Sequence, residues 1–361
     1  MCSIDPRHLI GRAAALGAGL MAAPPPLAAV QAGSPRCVAA RTRFFGADVV
    51  DQVTGAVRTD RVVLSWVGCT TYAVAIGGAV LLLDAWVPSL TSSGHVPATA
   101  QDLADLRPEA IFIGHGHFDH AADAGPIAAA TGATVYGTAE HCATVRAQVP
   151  GAWFPTVGLG DARTPIGRRE DRTVGPVRLT AVRHLHSART PTDPATASPR
   201  FFPRPELGPI LRHPPSLSDL RRTLPRLFDR EGGVLLYQFR VPGFALTWHD
   251  SSGPLCEAAP QVLDVLAQLP PTDVHIGAVQ GYNQISNGLR DPRTYIEALS
   301  PTVFVPTHHD NWLPGLTASA ATYDRPLTAE IDRLSGPLRP QVRSLHDPQD
   351  YLAPHRLTFS L

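Results

Sequence analysis

At 361 residues, 44% hydrophobic and 17% charged, the chain is long enough to bury one large α/β domain or two smaller ones. The formal net charge is +0 and the isoelectric point about 7.3, which excludes a global basic field drawing in nucleic acid. All 31 residues of the Lys/Arg class are arginine. With Ala, Pro and Gly abundant, this reflects coding bias and implies nothing about function.

Residues 1–32 have the pattern of an export signal. Arg7 and Arg12 precede an apolar stretch, Ala13 to Ala23, which is followed by Pro24-Pro25-Pro26 and small residues. Val30-Gln31-Ala32 fits a cleavage site, so the mature chain is expected to begin near Gly33, outside the cytoplasm. The stretch is too short and Pro-broken to span a bilayer, and no transmembrane segment is expected in the mature chain. The five cysteines, Cys2, Cys37, Cys69, Cys142 and Cys256, show no CxxC spacing, which argues against a zinc ribbon. Those beyond the signal are expected either to pair after export or to be buried free thiols.

Residues 33–60 read as an N-terminal extension, and the main domain as 61–315. Arg61 to Trp66 opens a strand; Thr70 to Ile76 and Ala79 to Leu83 form two more across a Gly77-Gly78 hairpin turn. Asp84 ends the last. Thr99 to Leu106 predicts a short helix and Ala110 to Ile113 a buried strand. A helix over Asp123 to Ala130, a strand at Thr134 to Tyr136 and a helix over Ala139 to Gln148 follow. Val177 to Val182 is a strand running into His184 and His186. Residues 187–232 break the pattern, rich in Pro, Arg and Ser, with helical periodicity from Leu217 to Phe228. Such an insert beside a site predicts a lid or binding loop. Phe201 and Phe202 would form an apolar wall, and Arg204, Arg212, Arg221, Arg222 and Arg226 would meet a negative group; a solvated Pro-rich loop is the plainer expectation. Strands resume at Val234 to Phe239 and Phe244 to Thr247. A helix over Cys256 to Leu269, a strand at Val274 to Val279, a helix at Pro292 to Leu299 and a strand at Val303 to Val305 complete the domain. Residues 316–361 read as a loosely helical C-terminal extension packed on it. No internal repeat stands out.

The run His115-Gly116-His117-Phe118-Asp119-His120 puts three imidazoles and a carboxylate into a strand-to-helix turn. Imidazole nitrogen and carboxylate oxygen suit zinc, iron or manganese. Alternate residues His115 and His117 can turn to one metal while Asp119 and His120 turn to a second. His186, His249-Asp250 and His308-His309 also follow apolar strands, and strand ends at one sheet edge can converge on one site. His184 and His186 share a strand face, so either can ligate. His308 and His309 are adjacent and point apart, so one of them ligates.

With these residues in this order, the chain resembles the metallo-β-lactamase-fold hydrolase superfamily from about Val62 to Trp312. Ser65-Trp66-Val67-Gly68, Gly77-Gly78 and Leu82-Leu83-Asp84 carry the resemblance before the histidine run, and the later His, Asp and His carry it after. His186-Ser187 and Pro306-Thr307-His308 resemble the branch of ascorbate-6-phosphate lactonase-like and N-acylphosphatidylethanolamine phospholipase D-like proteins. The resemblance implies an α/β fold, a four-layer αββα sandwich. It implies two divalent ions, zinc with manganese or iron as alternatives. His115, His117 and His186 would hold one ion, Asp119, His120 and His308 the other, and Asp250 would bridge them. A hydroxide shared by the ions would attack an ester, lactone, amide or phosphodiester, with Asp119 helping to move the proton. His184, His249 and His309 would lie behind or beside the ligands. Asp84 would steady a ligating histidine, or merely cap a turn. His95, His141, His213 and His275 are expected at the surface or in the core.

The function implied is an exported metal-dependent hydrolase acting on a small-molecule or lipid-like substrate. A lipid phosphodiesterase of phospholipase D type is the second reading, and a non-catalytic metal- or partner-binding protein the third. Asp250, where zinc β-lactamases of the thiolate type carry cysteine, argues against that activity.

Overall fold

The computed structural model describes residues 27–29, 31–88, 96–196, 198–214 and 216–361, leaving most of the expected export segment, and His95, outside the described residues. The side chain of Arg222 also lies outside them.

The apolar runs of the first half form β1 (Arg61–Gly68), β2 (Thr71–Ile76), β3 (Ala79–Leu83), β4 (Ala110–Phe112), β5 (Thr134–Gly137) and β6 (Thr156–Gly158). The second half supplies β7 (Arg169–Val174), β8 (Val177–His184), β9 (Val234–Val241), β10 (Phe244–His249), β11 (Val274–Ala278) and β12 (Val303–Thr307). Two short strands, β13 (Gln341–Val342) and β14 (Thr358–Ser360), come from the C-terminal region. They make two seven-stranded sheets, ordered β14-β1-β2-β3-β4-β5-β6 and β13-β12-β11-β10-β9-β8-β7. Both follow one plan. β14 through β3 pair antiparallel and β3 through β6 parallel; β7 through β10 pair antiparallel and β10 through β13 parallel. The chain shows no matching sequence repeat, because apolar alternation can be written in many ways.

Local chemistry sets the boundaries. Gly77 and Gly78 turn β2 into β3 with φ of 59° and 90°, the positive values a two-residue hairpin needs. Thr99 and Asp102 form a capping box on the helix Ala100–Asp105. Gly132, at φ 75°, ends the helix Ala124–Thr131, which links parallel strands β4 and β5.

The sheets pack face to face over one apolar core. The ring of Phe112 meets those of Tyr237 and Phe239 at 5.5 and 4.8 Å, and Tyr237 stacks on Trp248 at 5.7 Å. The buried Tyr237 hydroxyl donates to the Ile113 carbonyl at 2.8 Å, tying β9 to the end of β4. Helices cover the outer faces. Val182 and Leu236 pack on Val262, Leu266 and Tyr295, while Phe304 packs with Ile296, Tyr323 and Leu327. The architecture is the αββα sandwich. Among the described residues no helix is long and apolar enough to cross a membrane.

Several sequence expectations need correction. The helix expected over Cys256 to Leu269 is two, Leu255–Ala258 and Gln261–Ala267. Pro260 lies between them and cannot continue the backbone hydrogen bonding of a preceding turn. The segment Leu217 to Phe228 is helical only over Leu217–Thr223, followed by a 3-10 turn at Leu224–Arg226. The C-terminal region contains the helix Ala321–Ile331, but it also closes both sheets through β13 and β14. The N-terminal extension contains the helix Pro35–Phe45, capped by Ser34. Cys37, Cys69, Cys142 and Cys256 are free thiols, the first three buried.

The buried carboxylate of Asp310 fastens the β1–β2 turn to the segment after β12. It accepts the Cys69 N–H on both oxygens at 3.1 Å and the Tyr351 hydroxyl at 2.7 Å. Burial beside Asp347 pushes its carboxyl up to about 7. Asp310→Ala removes the carboxylate acceptor of the Cys69 N–H and the Tyr351 hydroxyl and is expected to destabilise the fold by about 1–3 kcal/mol. Asp310→Asn keeps an acceptor and should cost less. Denaturant unfolding of the two variants checks this ordering; equal stabilities would contradict it.

Candidate metal centre

Side chains at strand ends meet at one edge of the sandwich. The run following β4 carries His115 and His117, then enters the short helix Phe118–Ala121, which presents Asp119 and His120. His186 lies just past β8, Asp250 just past β10 and His308 just past β12. The first sheet thus contributes four of the seven sequence-predicted residues and the second sheet three.

The structure brings all seven together. Donor atoms of His115, His117 and His186 form one group, those of Asp119, His120 and His308 a second, and those of His115, His120 and Asp250 a third, each spanning no more than 4.8 Å. His115 Nε2 is 2.9 Å from His117 Nδ1. Asp119 Oδ2 is 3.2 Å from His120 Nε2 and 3.4 Å from His308 Nε2. Asp250 Oδ2 is 2.8 Å from His115 Nδ1 and 3.3 Å from His120 Nδ1, so this carboxylate stands between the groups.

Asp84, placed by the end of β3, holds His120 from behind. Its Oδ2 is 2.7 Å from His120 Nδ1 and accepts the Thr70 hydroxyl at 2.6 Å, while Oδ1 accepts the Gly114 N–H at 3.1 Å. Such a partner fixes the ring so that Nε2 faces the site. The flanking histidines turn elsewhere. His184 Nδ1 lies 2.9 Å from the Tyr295 hydroxyl, and His249 Nδ1 2.9 Å from the Ser251 carbonyl. His309 is buried between Trp66 and Tyr323. His141 is buried against the Glu231 and Gly233 carbonyls, and His275 is buried beside Phe304.

The electrostatics divide the imidazoles. Burial holds His115 well below the ordinary histidine range and pushes His117 down to about 4, with neighbouring imidazoles adding to the effect. Both therefore offer neutral, coordinating nitrogens at pH 7. Burial would also strip the proton from His120, but the charges of Asp119, Asp84 and Asp250 outweigh it and raise this group well above that range. Burial would raise Asp119 too, yet His120 and His308 hold it well below the usual carboxylate range. Burial and the charge of Asp250 push Asp84 up to about 7.

The donor set fits divalent metal. Five imidazoles and two carboxylates match the ligand preferences of zinc, iron and manganese. His120 Nε2 and Asp250 Oδ1 are buried without a hydrogen-bond partner, a costly arrangement that a cation would satisfy. Gly114 is required for the approach: a Cβ there would lie 2.2 Å from Asp250 Cγ and Oδ2.

The centre opens into a cavity of about 500 Å³. Phe118, Leu227, Ile285, Trp312, Leu313 and Leu316 supply apolar wall, and Gln280, Gln284 and Arg226 polar wall. The 187–232 insert reaches it through Ser187, Arg226 and Leu227. The wall anticipated from Phe201 and Phe202 is absent: Phe201 packs on Tyr323 at 4.9 Å, and Phe202 is exposed. The start of the insert is pinned instead to the helix Gln284–Asn287, with the Thr190 and Asp193 N–H groups donating to Asn283 and Asn287.

Sequence reasoning missed Gln280, whose Oε1 accepts the Trp312 indole N–H at 2.8 Å and lies 3.2 Å from His308 Nδ1. It also missed Cys69, whose sulfur joins the Asp119, His120 and His308 group. Its position at the end of β1, like the other ligands' positions at strand ends, was the available signal.

Two like-planned sheets, layered by helices and meeting at clustered His and Asp side chains, define an αββα sandwich with a candidate metal centre at one edge. Residues 64–192 match the family model described as Metallo-beta-lactamase superfamily. It is 44% identical over 77 residues to a UPF0173 metal-dependent hydrolase of Pyrobaculum aerophilum, covering 21% of this chain and 32% of the relative. It is 29% identical over 146 residues to one of Rubrobacter xylanophilus, covering 40% of this chain and 52% of the relative. The chain thus spans between about a third and about half the length of these relatives. Igni18, a metallo hydrolase from Ignicoccus hospitalis, shares the fold with a TM-score of 0.51 and 16% identity, over 83% of this chain and 99% of that one.

Because His120 holds a proton in the metal-free centre and must lose it to coordinate through Nε2, metal loading should release protons. Zinc affinity should therefore rise as pH is raised through neutrality. Competition against a chromophoric chelator at several pH values measures this; an affinity independent of pH would contradict the protonated His120.

Proposed function

We propose that the protein is a metal-dependent hydrolase with a two-ion centre. His115, His117 and His186 would hold one ion, Asp119, His120 and His308 the second, and Asp250 would bridge them. The convergence of these seven side chains at one cavity carries the reading. Divalent ions held there would supply Lewis-acid polarisation of the substrate oxygen and a nucleophile drawn from water at neutral pH. Zinc suits the ligand set best, with manganese or iron as alternatives.

The chain's own residues supply the rest. Asp84 and Thr70 orient His120. Gln280 steadies His308 from behind. Asp119 lies between His120 and His308 and would help to move the proton. The apolar wall favours a small-molecule substrate with an uncharged group beside the reacting bond. Arg226 is the one arginine of the described lining, which favours an ester, lactone or amide over a phosphodiester.

Turnover of an ester or lactone panel should vanish on chelation and return with zinc or manganese. Asp250→Ala should remove most activity, and Asp84→Ala should cost about 10–100-fold in activity or metal affinity. Full activity of the chelated protein or of Asp250→Ala would refute the proposal.

We also propose export, on the Arg-flanked apolar pattern of residues 1–32. N-terminal sequencing of protein from its native cell should begin near Gly33, and an intact Met1 start in the cytosol would overturn this.

A further inference from the structure

The second donor group contains a member that the proposed hydrolytic centre does not use. Cys69 lies in the turn between β1 and β2 and is 0% exposed. Its sulfur and the donor atoms of Asp119, His120 and His308 all lie within 4.8 Å of one another. Its backbone is clamped on both sides: the N–H donates to Asp310, and the carbonyl accepts from the Trp66 indole, the Thr307 hydroxyl and the His308 N–H. The last contact ties the backbones of Cys69 and His308 to each other. The sulfur forms no disulfide.

A second observation points to the same place. His120 Nε2 is buried, has no hydrogen-bond partner, and lies 3.2 Å from Asp119 Oδ2 inside this group. The other role open to Cys69 is filler among Trp86, Phe118 and Trp312, with which it also packs. Filling requires volume alone and can be met by any small apolar side chain. It does not place sulfur among three ligand atoms.

We propose that Cys69 is a thiolate ligand of the second ion. The proposal rests on the two-ion centre described above. The two ions would then differ in kind: besides the shared Asp250, the first would be held by imidazoles alone, the second by sulfur, imidazole and carboxylate. Thiolate is a soft ligand that favours zinc over manganese, so the second position would select zinc while the first stays permissive. The thiol proton leaves to solvent as the metal–sulfur bond forms, with no change of oxidation state.

Cobalt(II) titrated into the reduced, metal-stripped full chain tests this. Two equivalents should bind. An intense near-ultraviolet sulfur-to-cobalt charge-transfer band should grow with one of them and be missing from Cys69→Ser. That variant should keep the first ion and bind the second about 10–100-fold more weakly or worse. X-ray absorption of the zinc-loaded wild type needs no variant, and should show a sulfur shell at about 2.3 Å beside nitrogen and oxygen. Bound cobalt with visible ligand-field bands but no thiolate band, and no sulfur shell in the zinc form, would overturn the Cys69 assignment and leave the two-ion centre standing. A sulfur shell that survives in Cys69→Ser would overturn it in favour of another cysteine. Failure to bind cobalt at all would overturn both.

Discussion

The centre depends on one close approach between the two sheets. At Gly114 the chain leaving β4 runs so near Asp250 that no side chain can stand there. The Leu235 N–H donates to the Gly114 carbonyl at 2.9 Å, and the Gly116 N–H donates to the Glu231 carbonyl at 2.7 Å. These bonds draw the histidine run against the second sheet. Only then can His115 and His120 share Asp250, and only then does a single ligand cluster exist.

That approach concentrates charge in a dry place. Asp84, Asp119 and Asp250 are buried together, and buried carboxylates are tolerated only when paired. His120 is the partner common to all three. Backbone strain lies nearby. Cys69, Asp84 and His308 adopt φ of 49°, 52° and 55°, each costing about 1–3 kcal/mol for a residue other than glycine. Strain of this kind persists where the surrounding bonds over-determine the conformation, as the hydrogen bonds to Asp84 and Cys69 do.

Much of this was legible in the sequence. The β1–β3 runs, the Gly77-Gly78 turn and the histidine run announced themselves through apolar pattern and residue chemistry. The choice between His184 and His186 was not legible, because residues two apart share a strand face. The structure separates them because β8 ends at His184, leaving His186 free to turn to His115 while His184 faces Tyr295. β13 and β14 were missed because short edge strands carry too few residues for alternation to show. Cys69 was missed because its partners lie far along the chain: Asp119 is reached through β2–β4 and His308 only after both sheets have formed.

The shared plan of the two sheets bears on how the molecule comes together. Neither half-sandwich owns all the donors of the cluster: the first offers His115, His117, Asp119 and His120, the second His186, Asp250 and His308. Ions captured across that seam, as proposed above, would act as rivets. Whatever free energy they gain on binding is added to the docking of one half on the other, by mass action. Metal supply and assembly would then be two faces of one equilibrium, and a chain whose halves parted even slightly would lose its metal centre before it lost its secondary structure.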